Sequence, residues 1–175
     1  ATEFAEKGFH EASISGITRS AGVALGTFYT YFDSKDAVFR ALVSDMSAGV
    51  GKAAREALDP SMGALEIERV ALRAFLEFAA EHKEIYRIID EAEFVDPDSY
   101  RAHYETIGSR IEERLKLGGE SGEFAPGLGT PEAWAVMGMN VFLGLRYVIW
   151  GREGDPDFEE IARRANMLLT RGIAS

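Results

Sequence analysis

Hydroxyl groups are concentrated in one short segment near the start of the chain, SISGITRSAGVALGTFYTYF. Its second half carries Thr27, Tyr29, Thr30 and Tyr31, and Gly26 before them lets another backbone approach closely. Hydroxyls both donate and accept hydrogen bonds, so they suit phosphate oxygens and base edges. These residue types therefore indicate contact with DNA.

Two short helices joined by a turn are predicted to position these hydroxyls. Ser13 precedes Ile14 and Ile17, so its hydroxyl caps the first helix while both isoleucines face a core. Gly22 ends that helix, because glycine adopts the left-handed conformation without a steric penalty. Val23 is expected to insert between the two helices and to fix their crossing angle.

The second helix is predicted from about Ala24 to Tyr31, with Phe28 and Phe32 on its buried side. Two helices around a glycine turn are typical of a helix-turn-helix, whose second helix enters the major groove of DNA. The same pattern also fits a helical hairpin that packs a core and contacts no ligand.

The run AGVALGTFYTYF followed by DSKDAVFRALV resembles the DNA-binding head of TetR-type transcriptional repressors, whose pattern is roughly A-G-V-S-x-G-T-x-Y-x-[HY]-F-x-[SN]-K-[ED]-x-L. The resemblance implies that Thr27, Tyr29 and Tyr31 hold phosphates. It also implies that Lys35 holds another phosphate and that residues 24–31 enter the major groove. The matching positions are Ala21, Gly22, Val23, Gly26, Thr27, Tyr29, Tyr31, Phe32, Ser34, Lys35 and Asp36.

Three positions depart from the family pattern. Ala24 and Leu25 stand where the family commonly has a serine and then a lysine or arginine, so a cap and a cation are missing. Leu25 cannot hold a phosphate, but an apolar side chain there can contact a thymine methyl group. Gly16 lies three residues after the Ser13 cap, where an acidic residue would complete a capping box, so the first helix is expected to be weaker. The predicted DNA contacts are Ser13, Arg19, Ala24, Leu25, Gly26, Thr27, Tyr29, Thr30, Tyr31 and Lys35.

The composition limits the class of protein. The chain has 175 residues, 46% of them hydrophobic, and no cysteine, which excludes disulfides and thiolate metal sites. No run of eighteen apolar residues lacks a charge, so no membrane partner is expected and a cytoplasmic location is predicted. The first residues, ATEFAEKGF, are similar to the last two turns of the family's first helix, and a short arm is expected to precede them.

The net charge of −10 argues against strong non-specific binding to nucleic acid. Residues 1–50 hold four of the cations and six of the anions, so the head is close to neutral. Specific binding is therefore expected to depend on a few placed contacts and on dimerisation.

Helical periodicity continues to the end of the chain, with no strand pattern of useful length. The predicted fold is all-α: a helix-turn-helix DNA-binding domain over residues 1–48, truncated at its start, and a helical effector-binding and dimerisation domain over residues 49–175. Glycines at 49 and 51 are expected to break up the helix that Ser34 caps. The later predicted helices cover about 62–83, 84–94 and 96–117, then, after a glycine-rich loop at 118–129, one capped by Thr130 and one starting at Asp155 and Pro156.

Aromatic side chains and methionines are concentrated between residues 55 and 150, which predicts either an apolar effector cavity or an ordinary core. Arg146 and Asn140 lie among apolar residues of one helix, and a buried guanidinium needs a carboxylate. Either the acidic cluster at residues 90–93 pairs with Arg146, or Arg146 binds an anionic group of an effector. The predicted pocket residues are Phe75, Phe78, Tyr86, Ile89, His103, Tyr104, Met137, Asn140, Val141 and Arg146.

The last two predicted helices carry more apolar surface than one domain needs. Between Ala133 and Trp150 apolar residues lie on every face, and Gly138 and Gly144 let another helix approach closely. The pattern predicts half of an intermolecular four-helix bundle, where the family's dimer interface also lies. The alternative is the internal core of a monomer. The predicted dimer residues are Leu145, Val148, Phe158, Ile161, Ala165, Leu168 and Leu169.

No catalytic set can be assembled from the residue types, and neither a metal site nor a cofactor is predicted. The expected function is a homodimeric repressor that is released from a palindromic DNA operator by a small hydrophobic effector, with or without an anionic group. The alternative is a helical small-molecule-binding or adaptor protein in which the helix-turn-helix is only a scaffold. Ala24 and Leu25 favour that alternative.

Overall fold

The computed structural model of the chain describes residues 1–151 and 156–173. These residues form α-helices and one π-helical turn, with no β-strand among them, so the all-α prediction is confirmed. None of the described helices is both long and apolar enough to cross a membrane. In chain order the elements are α1 (Thr2–Glu11), α2 (Ile14–Ala21), α3 (Leu25–Tyr31), α4 (Lys35–Ala57), α5 (Ala64–Glu81), α6 (Glu84–Val95), α7 (Pro97–Ser121), α8 (Thr130–Gly144), the π turn (Leu145–Ile149) and α9 (Phe158–Gly172).

The chain forms two compact units. The first comprises Ala1–Ala48 and Lys83–His103, and the second comprises Gly49–His82 and Tyr104–Ser175. Helices α4 and α7 therefore each contribute residues to both units. Residues 83–103 pack in the first unit, whereas the prediction from sequence places them in the C-terminal domain. The functional division at residue 48 stays a prediction.

Aromatic rings form the centre of the first unit. Phe39 of α4 is fully buried, and its ring lies 5.2 Å from that of Phe4 and 5.1 Å from that of Phe9, edge to face in both pairs. Gly8, between the two α1 phenylalanines, has a φ of 78° and kinks α1. Because L side chains rarely adopt this backbone conformation, the kink depends on glycine.

Local caps follow the sequence at the helix-turn-helix. The Gly16 N–H donates to Ser13 Oγ at 3.0 Å, and the Ala37 N–H donates to Ser34 Oγ at 3.1 Å. Gly22 ends α2 in the left-handed conformation, with a φ of 68°. The side chain of Val23 is exposed rather than inserted between the helices, so that part of the prediction is wrong.

The caps of the last two long helices differ from the prediction. Gly129, not Thr130, is the N-cap of α8, and its N–H donates to Glu132 Oε2 at 2.8 Å. The Thr130 hydroxyl donates to Glu112 Oε2 of α7 instead, also at 2.8 Å. The predicted start at Asp155 lies outside the described residues, and Asp157 caps α9 by accepting from the Glu160 N–H at 2.9 Å.

The second unit packs around α7 and α8, where Leu115, Phe124 and Ala133 are almost completely buried. Glu68 of α5 is also buried, and it accepts two hydrogen bonds from Arg114 of α7, at 2.6 Å from Nε and 3.0 Å from Nη2. The helix α4 is unbroken at its glycines, contrary to prediction. A side chain at 49 would meet the Phe78 ring, 2.6 Å from Cβ to Cζ, so this glycine makes room for packing.

Candidate DNA-binding surface and effector cavity

One side of α3 is exposed and carries most of the predicted DNA contacts. Leu25, Tyr29 and Tyr31 are 50%, 55% and 76% exposed. The opposite side is anchored by Phe28, which is buried, and the Phe28 ring lies 5.8 Å from that of Phe32. We call the exposed residues of this helix the α3 face; its members are Leu25, Gly26, Thr27, Tyr29, Thr30 and Tyr31.

The α3 face offers hydroxyl and apolar groups but no charge. The Thr30 hydroxyl donates to the Gly26 carbonyl oxygen at 3.3 Å, so its proton is used within the helix. Ala24 is the N-cap of α3 and makes no side-chain capping bond, as the sequence predicts. The hydroxyl protons that remain for a ligand on this helix belong to Thr27, Tyr29 and Tyr31.

The missing acidic residue of the α2 capping box is supplied by α1. Glu3 is buried, and its Oε1 accepts from the Ser13 N–H at 3.3 Å and from Lys7 Nζ at 2.8 Å. The hydrogen bond from Lys7 holds the pKa of Glu3 below its usual value. Gly16 faces this carboxylate so closely that a Cβ on residue 16 would overlap Glu3 Oε1. Gly16 therefore makes room for a cap that comes from another helix, and α2 is capped rather than weakened.

Lys35 is engaged by the protein itself, which argues against its predicted role as a phosphate contact. Its Nζ donates to the carbonyl oxygens of Phe9 at 2.6 Å, His10 at 3.2 Å and Ala12 at 3.0 Å. The same nitrogen lies 4.5 Å from the centre of the Phe9 ring. An ammonium group has three protons, and all three are used at the end of α1. Lys35 holds α1 against the start of α4.

Arg19 is the cation that the helix-turn-helix offers to a ligand. It is exposed at the end of α2, and among the described residues no hydrogen bond or ion pair holds its guanidinium. Ser13 uses its oxygen as the α2 cap. Arg19 therefore replaces Lys35 as the candidate partner of a phosphate.

The kink of α1 is held by two charged residues of α6. Glu91 Oε1 accepts from the Phe9 N–H at 2.5 Å, just after Gly8, and Arg87 donates to the carbonyl oxygens of Ala5 and Glu6 before it. The kink leaves backbone groups of α1 without partners inside the helix, and these two side chains provide hydrogen bonds on both sides of it. This clamp fixes α1 within the first unit.

The second unit contains an apolar cavity of about 70 Å³. Four of the predicted pocket residues line it, namely Phe75, Met137, Asn140 and Val141. The other lining residues are Val50, Gly51 and Ala54 of α4, Ala71 of α5, and Ile107, Arg110, Ile111 and Arg114 of α7.

The remaining predicted pocket residues lie elsewhere. Ile89 and His103 are buried in the first unit, where burial lowers the pKa of His103 to about 4 and keeps the ring neutral. Tyr86 also belongs to the first unit. Tyr104 packs on the core of α7 and α8, and Phe78 packs against Gly49 and the His82 ring.

Arg146 is exposed, so the premise of a buried guanidinium is wrong. Its guanidinium carbon lies 5.4 Å from the centre of the Tyr147 ring. The helix that carries it turns π-helical from Leu145, which rotates the residues that follow. The cations of the cavity are Arg110 and Arg114, which the sequence pattern did not predict; the one local signal was Gly51, a glycine inside a helix.

The predicted dimer residues divide into two groups. Val148 and Ala165 are buried within the chain, so these two are corrected to core, whereas Leu169 is half-buried and packs on the core of α7 and α8. Leu145, Phe158 and Ile161 are half-buried and Leu168 is exposed. From α8 onward the exposed large apolar side chains, which we call the C-terminal apolar surface, are Trp134, Phe142, Tyr147, Trp150, Met167 and Leu168.

The first 42 residues match the family model described as bacterial regulatory proteins, tetR family. Over 177 aligned residues the chain is 25% identical to YhgD, an uncharacterized HTH-type transcriptional regulator of Bacillus subtilis, covering 98% of this chain and 91% of that protein. It is 32% identical to a second such regulator of B. subtilis, YdgC, over 92 residues, but that match spans only 47% of YdgC and 50% of this chain.

Among solved structures, the fold is similar to that of the transcriptional regulator FadR of B. subtilis in complex with stearoyl-CoA. The TM-score is 0.81 at 21% identity, over 98% of this chain and 94% of that one. The similarity to FadR therefore includes both units of the chain. Residues 1–42 thus match the tetR family of bacterial regulatory proteins, and over both units the fold is similar to that of a solved transcriptional regulator.

Proposed function

We propose that this chain is a homodimeric transcriptional repressor whose α3 enters the major groove of a palindromic operator and which a small hydrophobic effector releases. The observation that carries the proposal is the α3 face, since large side chains and free hydroxyls are exposed there on a helix-turn-helix. Most of this surface is exposed rather than used to pack the first unit. It fits a groove that presents both phosphates and base edges.

Two copies are needed for the proposed operator binding. The C-terminal apolar surface holds two tryptophans and a phenylalanine on adjacent elements, which is the composition of an interface core rather than of a solvated face. We propose that a second copy covers it. A two-fold dimer would place two α3 helices about 34–36 Å apart, one turn of DNA, and so select a palindrome.

The effector is proposed to enter the cavity of the second unit. Drug-sized ligands occupy pockets of about 300–1,000 Å³, so a cavity of about 70 Å³ must widen before it holds one. The neighbour FadR, which was solved with stearoyl-CoA, supports a long acyl compound as the effector class.

Helix α4 is the proposed link between effector and operator. Its first turn carries Lys35, which holds α1, and its second half carries Val50, Gly51 and Ala54 of the cavity wall. A ligand that widens the cavity favours the state in which this part of α4 is displaced. Effector and operator then weaken each other's binding by the same factor.

The experiment starts with selection of a preferred site from randomised duplex DNA by the full chain. Fluorescence anisotropy then measures the affinity for that site with and without stearoyl-CoA. The proposal predicts a palindromic site and a weaker affinity with the ligand present. Absence of any preferred site would favour the adaptor function, in which the helix-turn-helix is a scaffold. If the chain has a preferred site but its affinity for that site does not change when an effector is bound, the proposed release mechanism is wrong.

A further inference from the structure

The cavity wall contains a cation that has no partner among the described residues. Arg110 of α7 is half-buried and lines the cavity, and no hydrogen bond or ion pair engages its guanidinium in the part of the chain that the structure describes. Arg114, one turn further along α7, differs from it: its two hydrogen bonds to the buried Glu68 carboxylate neutralise its charge. Arg110 is therefore the cavity's uncompensated charge.

A second polar group of the cavity is also unsatisfied. Asn140 of α8 lines the same cavity, and its Oδ1 is buried and has no hydrogen-bond partner among the residues that the structure describes. Buried polar atoms normally have a partner, and an unpaired one costs free energy. The rest of the lining is apolar apart from Arg114, with Val50, Phe75, Ile107 and Met137 among its larger side chains. An apolar cavity with one unpaired cation and one unpaired acceptor is organised for a ligand with a polar, anionic end.

Gly51 makes room for the guanidinium at the cavity wall. A Cβ on residue 51 would overlap Arg110 Nη1 and lie 2.8 Å from Cζ. The charged end of Arg110 is therefore packed directly on the backbone of α4, and no carboxylate of residues 1–151 or 156–173 pairs with it. An anion that enters the cavity can pair with this charge without competing against an ion pair of the protein.

We propose that the effector is an anionic amphiphile, whose apolar part enters the cavity and whose acidic group pairs with Arg110. This inference rests on the proposed effector site and names the chemical class that it binds. The acidic group accepts from the Arg110 guanidinium, and a donor on the same ligand, such as a hydroxyl or amide N–H, satisfies Asn140 Oδ1. A free fatty acid and an acyl-CoA share this chemistry, because each joins an acyl chain to an anionic group.

The test compares head groups on one chain length, using hexadecanoate, hexadecanoyl-CoA and the neutral hexadecanol. Their dissociation constants for the full chain are measured by isothermal titration calorimetry. Arg110→Met removes the charge and keeps an apolar stem of similar length. Arg146→Met is the matched control, because Arg146 is an exposed cation of the same unit that does not line the cavity. Circular dichroism and the unfolding temperature check that each variant is folded.

We expect the wild-type chain to bind at least one anionic ligand about tenfold or more tightly than hexadecanol, since a charge-assisted hydrogen bond contributes about that factor. Arg110→Met should lose this preference and still bind hexadecanol, whereas Arg146→Met should keep it. If only the acyl-CoA shows the preference, the anion is in the CoA part; if the acid shows it, the carboxylate suffices.

Two results would overturn the inference without touching the proposed effector site. Equal binding of hexadecanol and both anionic ligands would show that no anionic group is recognised. If Arg110→Met still prefers an anionic ligand over hexadecanol, a residue other than Arg110 binds the acidic group. Failure of all three ligands to bind would instead count against the proposed effector site itself.

Discussion

The amino group of Lys35 lies among three carbonyl oxygens at the C-terminal end of α1. A helix end leaves its last carbonyl groups without partners, and a cation there satisfies them and interacts favourably with the helix dipole. This lysine matches the pattern that the sequence resembles, but its amino group is held by carbonyl oxygens of the protein itself. Residue type alone does not distinguish a phosphate contact from a helix cap.

We predict that Lys35→Met lowers the free energy of unfolding by about 1–3 kcal/mol, because part-buried carbonyl groups at the end of α1 would be left without a charged partner. The slope of operator affinity against salt concentration should stay as in the wild-type chain. Arg19→Met is the paired variant: it should leave unfolding unchanged and reduce the salt slope by about 1 for each phosphate that is no longer neutralised. Urea unfolding and anisotropy at several salt concentrations measure both quantities. If Lys35→Met instead reduced the salt slope and left unfolding unchanged, Lys35 would be the phosphate contact.

Leu25 determines what α3 can read in the major groove. Arginine and lysine recognise guanine, and asparagine and glutamine recognise adenine, but α3 has none of these four residue types. Its exposed apolar side chain at the N-terminal end is Leu25. Of the groups in the major groove, the thymine methyl is the one that an apolar side chain contacts favourably.

We therefore predict that replacing the contacted thymine of the operator by uracil, which lacks only that methyl group, weakens binding. The expected reduction is about fourfold per half-site, from about 0.8 kcal/mol for one buried methyl group. Leu25→Ala should bind the thymine and uracil operators equally. If the wild-type chain does not distinguish the two operators at any thymine, Leu25 has no role in base recognition.

At the scale of the elements, α2 depends on a cap that α1 provides. Ser13 and Gly16 form one half of the capping box within the sequence, and the carboxylate of Glu3 completes it from a distance of ten residues. The glycine at 16 follows from this arrangement, because the carboxylate occupies the space of a side chain.

Gly16→Ala tests this arrangement, because the predicted change in the free energy of unfolding has the opposite sign to the usual one. An alanine inside a helix normally stabilises it by about 0.5–1 kcal/mol relative to glycine, but here its Cβ would displace Glu3. We predict a lower free energy of unfolding, by about 1–3 kcal/mol. Gly26→Ala in α3 is the control, since no atom lies within 4 Å of its added Cβ, and it should stabilise the chain. Stabilisation by both substitutions, measured by chemical denaturation, would show that Glu3 does not require Gly16.

The elements that the sequence predicts well are those defined by local chemistry. Helix ends of the helix-turn-helix are capped by Ser13, Gly22 and Ser34. Each lies within a few residues of the groups that it caps, so its role can be predicted from the sequence. The roles predicted for Thr130 and Arg146 are wrong, and the hydrogen bonds of Lys35 were not predicted, because the partners or the exposure of these residues depend on other helices and on the π turn. The role of Arg110 is invisible in the sequence for the same reason: its unpaired state is a property of the cavity, not of its neighbours in the chain.

At the scale of the whole molecule, the excess of negative charge disfavours non-specific binding to DNA. The first unit carries seven lysines and arginines against twelve aspartates and glutamates. Three of those cations are held by the unit itself, Lys7 on Glu3, Lys35 on α1 and Arg87 on α1. The proposed operator binding must therefore come from two α3 faces acting together, which makes the dimer a condition of function.

Phe142→Asp tests the proposed dimer. Phe142 is 69% exposed on the C-terminal apolar surface, and an aspartate there would be buried unpaired between two copies. We predict a monomer in sedimentation velocity, with helical content and unfolding cooperativity preserved. Phe94→Asp, on α6, is the control, because Phe94 is 82% exposed outside that surface. A dimer that survives Phe142→Asp and dissociates with Phe94→Asp would relocate the interface to the first unit.

The measurement that tests DNA recognition by α3 most directly is the operator affinity of the double variant Tyr29→Phe and Tyr31→Phe. Both hydroxyls lie on the α3 face, and phenylalanine keeps the rings, including the edge contact of Tyr29 with Phe28 at 5.3 Å. Two hydroxyls are removed from each copy, and hydrogen bonds to charged groups are worth about 1.5–3 kcal/mol each, so we predict an affinity at least about a hundredfold weaker for each half-site. The unfolding temperature and the dimer should be unchanged. An unaltered operator affinity in this folded dimer would contradict the central claim that α3 binds the operator.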